Sequence, residues 1–232
     1  MFDLQFAINK AVPLALSAYG NARYPSEYDL VGVIETDWSP TKTKLAAEVL
    51  ATNKPFGLVV QNKDSVVVAI RGTETLKEWI EDFYANLVPF VVPNQGVVHE
   101  GFQEVYSHIR KSILNLISGV VDKQLYIVGH SLGAALAMFA ALEIVISTGQ
   151  VAEVYTFGGP RTFAWAGKFD SLIIHCNRVV NHGDIVPQVP LPPLFRHVGQ
   201  PLSVKGGFKV DDISFAHHLT TYLNGLQLEV RK

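Results

Sequence analysis

The sequence predicts an α/β fold with a mostly parallel central sheet flanked by helices, a single domain over residues 1–232. Three observations carry that prediction. Short apolar runs alternate with longer stretches of helical period. Each later strand candidate empties into a loop rich in glycine and polar residues. No Ser-, Pro- or charge-rich linker divides the chain. In order, residues 56–61 and 65–70 are β-branched runs around the turn-forming Asn62-Lys63-Asp64, which reads as a hairpin ending at Arg71-Gly72-Thr73. From Gly101 on, Val105, Ile109, Ile113 and Leu116 share one helical face, and Gly119 closes that helix. A strand at 125–128 leads into a helix at 132–147; strands at 154–157 and 173–180 follow, and 216–226 forms a closing helix. In a parallel sheet of this kind ligands bind beyond the carboxyl ends of the strands, where Thr73, Ser131, Gly158 and Asp184 all fall.

Composition narrows the function classes. Hydrophobic residues make up 48% and charged residues 17%, yet no uncharged apolar run is long enough to span a bilayer. A net charge of −2 without a Lys/Arg cluster gives no electrostatic case for nucleic acid or an anionic membrane. Cys176 is the only cysteine, so an intrachain disulfide is excluded, and cytoplasmic and secreted placements both fit. Residues 1–19 contain Asp3, Lys10 and Pro13 and lack a basic n-region followed by an unbroken apolar stretch; they read as a first helix.

The chemistry centres on Gly129-His130-Ser131-Leu132-Gly133, which lies between a strand and a helix. G-x-S-x-G alone recurs by chance in roughly one chain in fifteen of this length, so its surroundings decide between a nucleophile elbow and a helix-capping serine. A sharp strand-to-helix turn needs glycines where a Cβ would crowd the neighbouring elements, and it leaves the serine Oγ at the sheet edge by a helix N-terminus. A serine attacks at neutral pH only when a histidine takes its proton, and the histidine needs a carboxylate to fix its tautomer. Asp184 ends a strand candidate, with Asp170, Asp211 and Asp212 as competing acids; His175, His182, His197, His217 and His218 follow the serine. His130 precedes the nucleophile and reads as a strand-end packing residue. No H-E-x-x-H, paired cysteine or carboxylate cluster supports a catalytic metal, and no cofactor is expected.

Six ordered motifs resemble the class 3 lipases, whose fungal triacylglycerol lipases are well-known members. They are Ile70-Arg71-Gly72-Thr73 with Trp79 beyond; Val98-His99-Glu100-Gly101-Phe102; Gly129 to Leu136; Tyr155 to Arg161; Gly183-Asp184-Ile185-Val186-Pro187; and a late histidine followed by a tyrosine. They cover roughly residues 56–225. The resemblance implies an α/β-hydrolase fold in which Ser131 is the nucleophile, Asp184 the orienting acid and a histidine of the 217/218 pair the base. Family members place a tyrosine three or five residues beyond the base; Tyr222 is five beyond His217 and four beyond His218, which favours His217. Backbone N–H groups of Thr73 and Leu132 would form the oxyanion hole. His99 and His197 are expected to be structural. The implied activity is hydrolysis of carboxylic esters through an acyl-serine, with acylglycerols presented at a lipid–water interface as the main substrate class. A small-ester or feruloyl-type esterase and a phospholipase A1 are alternatives within the same chemistry, and a catalytically silent lipase-like binding scaffold is an alternative outside it.

Residues 74–86 suggest a lid. Leu76, Trp79, Ile80 and Phe83 recur at i, i+3, i+4 and i+7 opposite Lys77, Glu78, Glu81 and Asp82, and Thr75 with Glu78 can form a capping box. An ordinary surface helix has the same periodicity. The position directly after Thr73 is where the resembling lipases carry a mobile lid with a tryptophan.

Overall fold

Alternation along the strands sorts the apolar residues of this chain into two cores, one on each face of a single large sheet. The computed structural model describes residues 2–37, 39–52, 54–73, 86–120, 122–164, 169, 175–212 and 214–232. Its strands are β1 (Asp29–Ile34), β2 (Gly57–Gln61), β3 (Ser65–Ile70), β4 (Leu87–Pro89), β5 (Val97–His99), β6 (Gln124–His130), β7 (Glu153–Phe157), β8 (Phe163–Ala164), β9 (Cys176–Asn181), β10 (Phe195–Arg196) and β11 (Gln200–Val204). Among the described residues seven of them form the main sheet in the order β1-β2-β3-β6-β7-β9-β11. The first three pair antiparallel, and every pairing from β3 to β11 is parallel. A small antiparallel sheet, β10-β8-β5-β4, stands apart from it.

On one face pack α2 (Lys44–Leu50), α3 (Glu100–Ser118) and α4 (Leu132–Thr148), against Val66, Val68, Ile70, Leu125, Ile127 and Val154. On the other lie α1, whose turns run through Leu4–Phe6, Ala7–Ala11 and Val12–Ala18, and α5 (Leu219–Val230). These cover Val67, Ala69, Val128, Tyr155, Phe157 and Val179. Successive β3 residues thus feed opposite cores, as the two-residue strand period requires of a sheet covered on both faces. The helix α4 is apolar all round, and every residue from Leu132 to Ile144 is buried, so it is wedged between sheet and α3 rather than lying on the surface. Its one buried acid, Glu143, is neutralised from α3: Arg110 Nε donates at 3.0 Å, Arg110 Nη2 pairs with the other carboxylate oxygen, and Tyr106 Oη donates at 2.7 Å.

The hairpin at β2/β3, the crossover helix ending at Gly119 and the strand-turn-helix at β6/α4 occur where the sequence predicts them. The expected closing helix at 216–226 is different. A 3-10 turn, Phe215–His217, is followed by His218 in extended conformation (φ −65°, ψ 139°), and α5 starts only at Leu219. The expected 173–180 strand is β9, which begins at Cys176. Two edge strands, β1 and β11, were not expected: both are largely exposed, β1 contains Gly32 and β11 contains Pro201, a residue confined to sheet edges.

Replacing Arg110 with alanine leaves the buried Glu143 with Tyr106 as its remaining donor. A loss of about 2 kcal/mol of unfolding free energy is expected, measurable by urea denaturation, with the midpoint shifted and the slope unchanged.

Candidate active site

The parallel pairing aligns Ile70 with Gly129 and His130 with Phe157, so β3, β6, β7 and β9 end along one edge. Ser131 turns the chain from β6 into α4 with φ 58° and ψ −129°, a conformation that costs a residue with a Cβ about 1–3 kcal/mol. The turn is pinned by Ser131 N–H donating to Phe157 O at 3.0 Å and Ala134 N–H to Ser131 O at 2.9 Å. Only glycine fits on either side. A Cβ on Gly129 would stand 2.2 Å from Gly133 O, and one on Gly133 would stand 2.3 Å from Ile70 O. Leu132 opens α4, where the first N–H groups have no acceptor within the helix.

Asp184 sits in the turn after β9. Its Oδ1 accepts from Val186 N–H at 2.9 Å, and its Oδ2 accepts from His217 Nδ1 at 2.7 Å and from Tyr222 Oη at 2.5 Å. Tyr222 is fully buried; that burial and the neighbouring carboxylate hold its phenol well above the usual value, so it stays a donor. A carboxylate only accepts, so the His217 proton is on Nδ1 and the lone pair of the neutral ring is on Nε2. That Nε2 is buried and has no hydrogen-bond partner among the described residues. His218 is exposed and marks the start of α5, so of the pair it is His217 that meets Asp184. Asp211 is exposed, and Asp212 is bonded to Ser214 in its own turn. Asp170 and the expected lid residues Leu76, Trp79, Ile80 and Phe83 lie outside the described residues.

Thr73 follows β3, and its Oγ1 is buried without a hydrogen-bond partner among the described residues. Its approach is fixed by Arg71, which is buried: Nε donates to Pro55 O at 2.9 Å, Nη1 to Gly72 O at 3.0 Å and Nη2 to Thr52 Oγ1 at 2.8 Å. Neither this role of Arg71 nor that of Asn181 was anticipated. Asn181, the last residue of β9, holds the histidine segment through Nδ2 to Ala216 O (2.8 Å) and Gly207 O (3.0 Å), and takes Gly206 N–H on Oδ1 at 2.8 Å. His130, expected merely to pack, is bonded through both ring nitrogens, to Tyr19 Oη at 2.8 Å and to His217 O at 2.7 Å. His99 caps α3 by accepting from Phe102 N–H and stacks on the Phe102 ring, and His197 Nε2 donates to Pro187 O at 2.8 Å beside the acid loop.

Residues 67–193 match the family model of the class 3 lipases, Lipase (class 3), which is more than half of the chain. The chain belongs to the class 3 lipase family. Among its relatives are the phospholipase A1 EG1 of Oryza sativa subsp. indica, 28% identical over 207 residues covering 70% of this chain and 47% of the relative. A lipase of Rhizomucor miehei is 29% identical over 153 residues, covering 60% and 41%. The chain therefore spans about half or less of the length of these relatives. Among solved structures, lipase II from Rhizopus niveus superposes with a TM-score of 0.70 over 88% of this chain and 81% of that one at 23% identity, which shows the α/β-hydrolase fold. Thr73, Ser131 and Asp184 lie inside the matched span, and His217 lies beyond it.

Two measurements probe this candidate site. Gly158 has φ +60°, and a Cβ on it would stand 2.8 Å from Asp184 Oδ2 and 2.9 Å from His217 Nδ1. Gly158→Ala is expected to force the acid–histidine pair apart and lower kcat/KM on a soluble ester about a hundred-fold. The second concerns acid stability. Burial depresses His130 well below 6.5, and burial with the nearby Arg178 depresses His197 from 6.5 to about 3. Below pH 6.5 the unfolded chain therefore binds protons that the native state refuses, so stability is full above about 6.5 and falls as pH drops toward 3. Denaturation midpoints should decline over that window, and His197→Gln should flatten the decline.

Proposed function

We propose that this chain is a serine carboxylic-ester hydrolase acting through an acyl-serine, with triacylglycerols as the leading substrate class. One observation carries the reading. A buried histidine has its Nδ1 bound to a buried carboxylate and its Nε2 without a partner, at the sheet edge where a strained serine starts a helix. In this mechanism His217 Nε2 takes the Ser131 hydroxyl proton as Oγ attacks the ester carbonyl. Asp184 stabilises the imidazolium and holds its tautomer without itself becoming protonated. Negative charge on the carbonyl oxygen is met by the Leu132 N–H and by Thr73, whose N–H and partnerless hydroxyl suit an incoming oxyanion. His217 then returns the proton to the leaving alcohol, and water repeats the sequence on the acyl-enzyme. A phospholipase A1 is the second reading, favoured by relatives that carry that name. The chemistry is the same, and only the lipid differs.

Nitrophenyl esters of short and long acyl chain, trioleoylglycerol emulsion and phosphatidylcholine vesicles, each with and without a serine-directed organophosphate, test these readings together. Ser131→Ala and His217→Ala are expected to lower kcat/KM by about 10⁴-fold or more in folded protein. His218→Ala should stay within about two-fold of wild type. Turnover of phosphatidylcholine but not trioleoylglycerol would favour the phospholipase, and no Ser131-dependent turnover of any ester would leave a binding scaffold.

A further inference from the structure

Three hydrogen bonds cross behind the nucleophile and join parts of the site that come from four places in the chain. Gly72 N–H donates to Tyr19 Oη at 2.9 Å, Tyr19 Oη meets His130 Nδ1 at 2.8 Å, and His130 Nε2 meets His217 O at 2.7 Å. Chemistry fixes every direction. The His217 carbonyl can only accept, so the His130 proton is on Nε2; the neutral ring then has a bare Nδ1, which must accept, so Tyr19 donates its proton there. The Tyr19 oxygen is left to take the Gly72 N–H. Burial, reinforced by the neighbouring His217 and His218, depresses His130 well below its ordinary value and keeps the ring in this one-proton state.

We propose that Tyr19 and His130 are positioning residues that set the oxyanion loop and the base-bearing segment in register with Ser131. The inference rests on the ester-hydrolase reading of the same site. Gly72 is held at both ends of its backbone, its N–H by Tyr19 and its C=O by Arg71 Nη1 at 3.0 Å. The Gly72 carbonyl and the Thr73 N–H share one rigid peptide plane, so holding Gly72 aims the Thr73 donor. There is no slack in this packing. A Cβ on Gly72 would stand 2.7 Å from Tyr19 Oη, 2.8 Å from His130 O and 2.8 Å from Ser131 Cβ. At the far end His130 holds the backbone of the base itself, and the two imidazoles lie with centroids 4.6 Å apart. Tyr19 follows the last turn of α1, so the first helix of the chain, packed on the opposite face of the sheet from α4, reaches through to the oxyanion loop. Tyr19 and His130 touch no reacting atom in this scheme and act through Thr73 and His217.

The test uses Tyr19→Phe, His130→Gln and the double variant of the whole chain, with pre-steady-state acylation by p-nitrophenyl butyrate. Phenylalanine keeps the ring and removes only the hydroxyl. Glutamine keeps an N–H for the His217 carbonyl and gives up the imidazole acceptor. Each single variant is expected to lower the acylation rate constant about ten-fold with KM within about two-fold, because an aimed donor counts most in the transition state; the thermal midpoint should also fall by several degrees, since Tyr19→Phe leaves the Gly72 N–H and His130 Nδ1 without this partner. Since the two residues are links in one chain, the double variant should acylate no slower than the worse single variant. Losses that multiply, or a Tyr19→Phe protein that acylates at the wild-type rate, would overturn the proposal. ¹⁵N NMR of histidine-labelled protein supplies a readout independent of turnover: His130 should show Nε2–H and a bare Nδ1, and the Nδ1 signal should move in Tyr19→Phe. A proton on Nδ1 in the wild type would overturn the proposal. Wild-type protein without Ser131-dependent turnover would refute the ester-hydrolase reading, whereas an active wild type with unimpaired variants would refute the positioning role alone.

Discussion

The chain passes from β6 to α4 through one residue, and the rest of the site is arranged around the geometry that this demands. A positive φ at Ser131 is unfavourable for any residue with a Cβ, so the turn persists only because its surroundings leave no alternative. Those surroundings are unusually close. Gly129 and Gly133 nearly touch across the turn, and Gly133 lies against the carbonyls of Ile70 and Arg71 at the end of β3. The same parallel pairing that buries Val66, Val68 and Ile70 against α4 therefore delivers Gly72 and Thr73 to the flank of the serine. Core packing and placement of the Gly72–Thr73 loop are one constraint here, because a one-residue slip of β3 against β6 would turn its apolar residues to the wrong faces and move the loop together.

The acid and histidine are held by a different set of contacts, and these come from the other side of the sheet. Asn181 ends β9 and binds three backbone groups of the segment that precedes and includes the approach to His217, while Asp184 binds His217 directly. Tyr222, from the first turns of α5, adds a donor to the same carboxylate oxygen that His217 uses. A buried carboxylate is tolerable only with its oxygens satisfied, and Asp184 has three donors on two oxygens. The interruption at His218 has a role in this. An unbroken helix over 216–226 would carry 217 and 221 on one face, whereas the extended residue 218 lets His217 face the strand end and Tyr222 reach the same acid from below.

Much of this was legible in the sequence, for reasons that differ from element to element. The buried strands declared themselves because both faces are covered, so β2 and β3 read as β-branched runs and β6 as a short apolar run. The elbow declared itself because a Cβ is forbidden at both flanking positions. The edge strands β1 and β11 did not, since exposed residues there are under no hydrophobic pattern. Arg71, Asn181 and Tyr19 were silent for another reason: their partners are backbone atoms or residues far away in sequence, 53 positions in the case of Tyr19 and Gly72, and such pairings leave no local period. The spacing from His217 to Tyr222 has a physical content, which is that both side chains bond to Asp184 Oδ2.

Two kinds of cost are concentrated within this edge of the sheet. One is backbone strain at Ser131; the other is a pair of buried polar atoms without partners, Thr73 Oγ1 and His217 Nε2. Each is worth on the order of 1–3 kcal/mol, a substantial part of the stability that a domain normally has to spare. The buried side chains of Arg71, Asn181 and Glu143, by contrast, are bonded at most of their polar atoms. The partnerless atoms are the acceptor and donor that the proposed chemistry needs vacant, one to take a proton from Ser131 and one to meet a developing oxyanion. The strain that presents Ser131 is sustained by the same close packing, so the cores on both faces of the sheet act as the support against which the site is held out of its own local minimum.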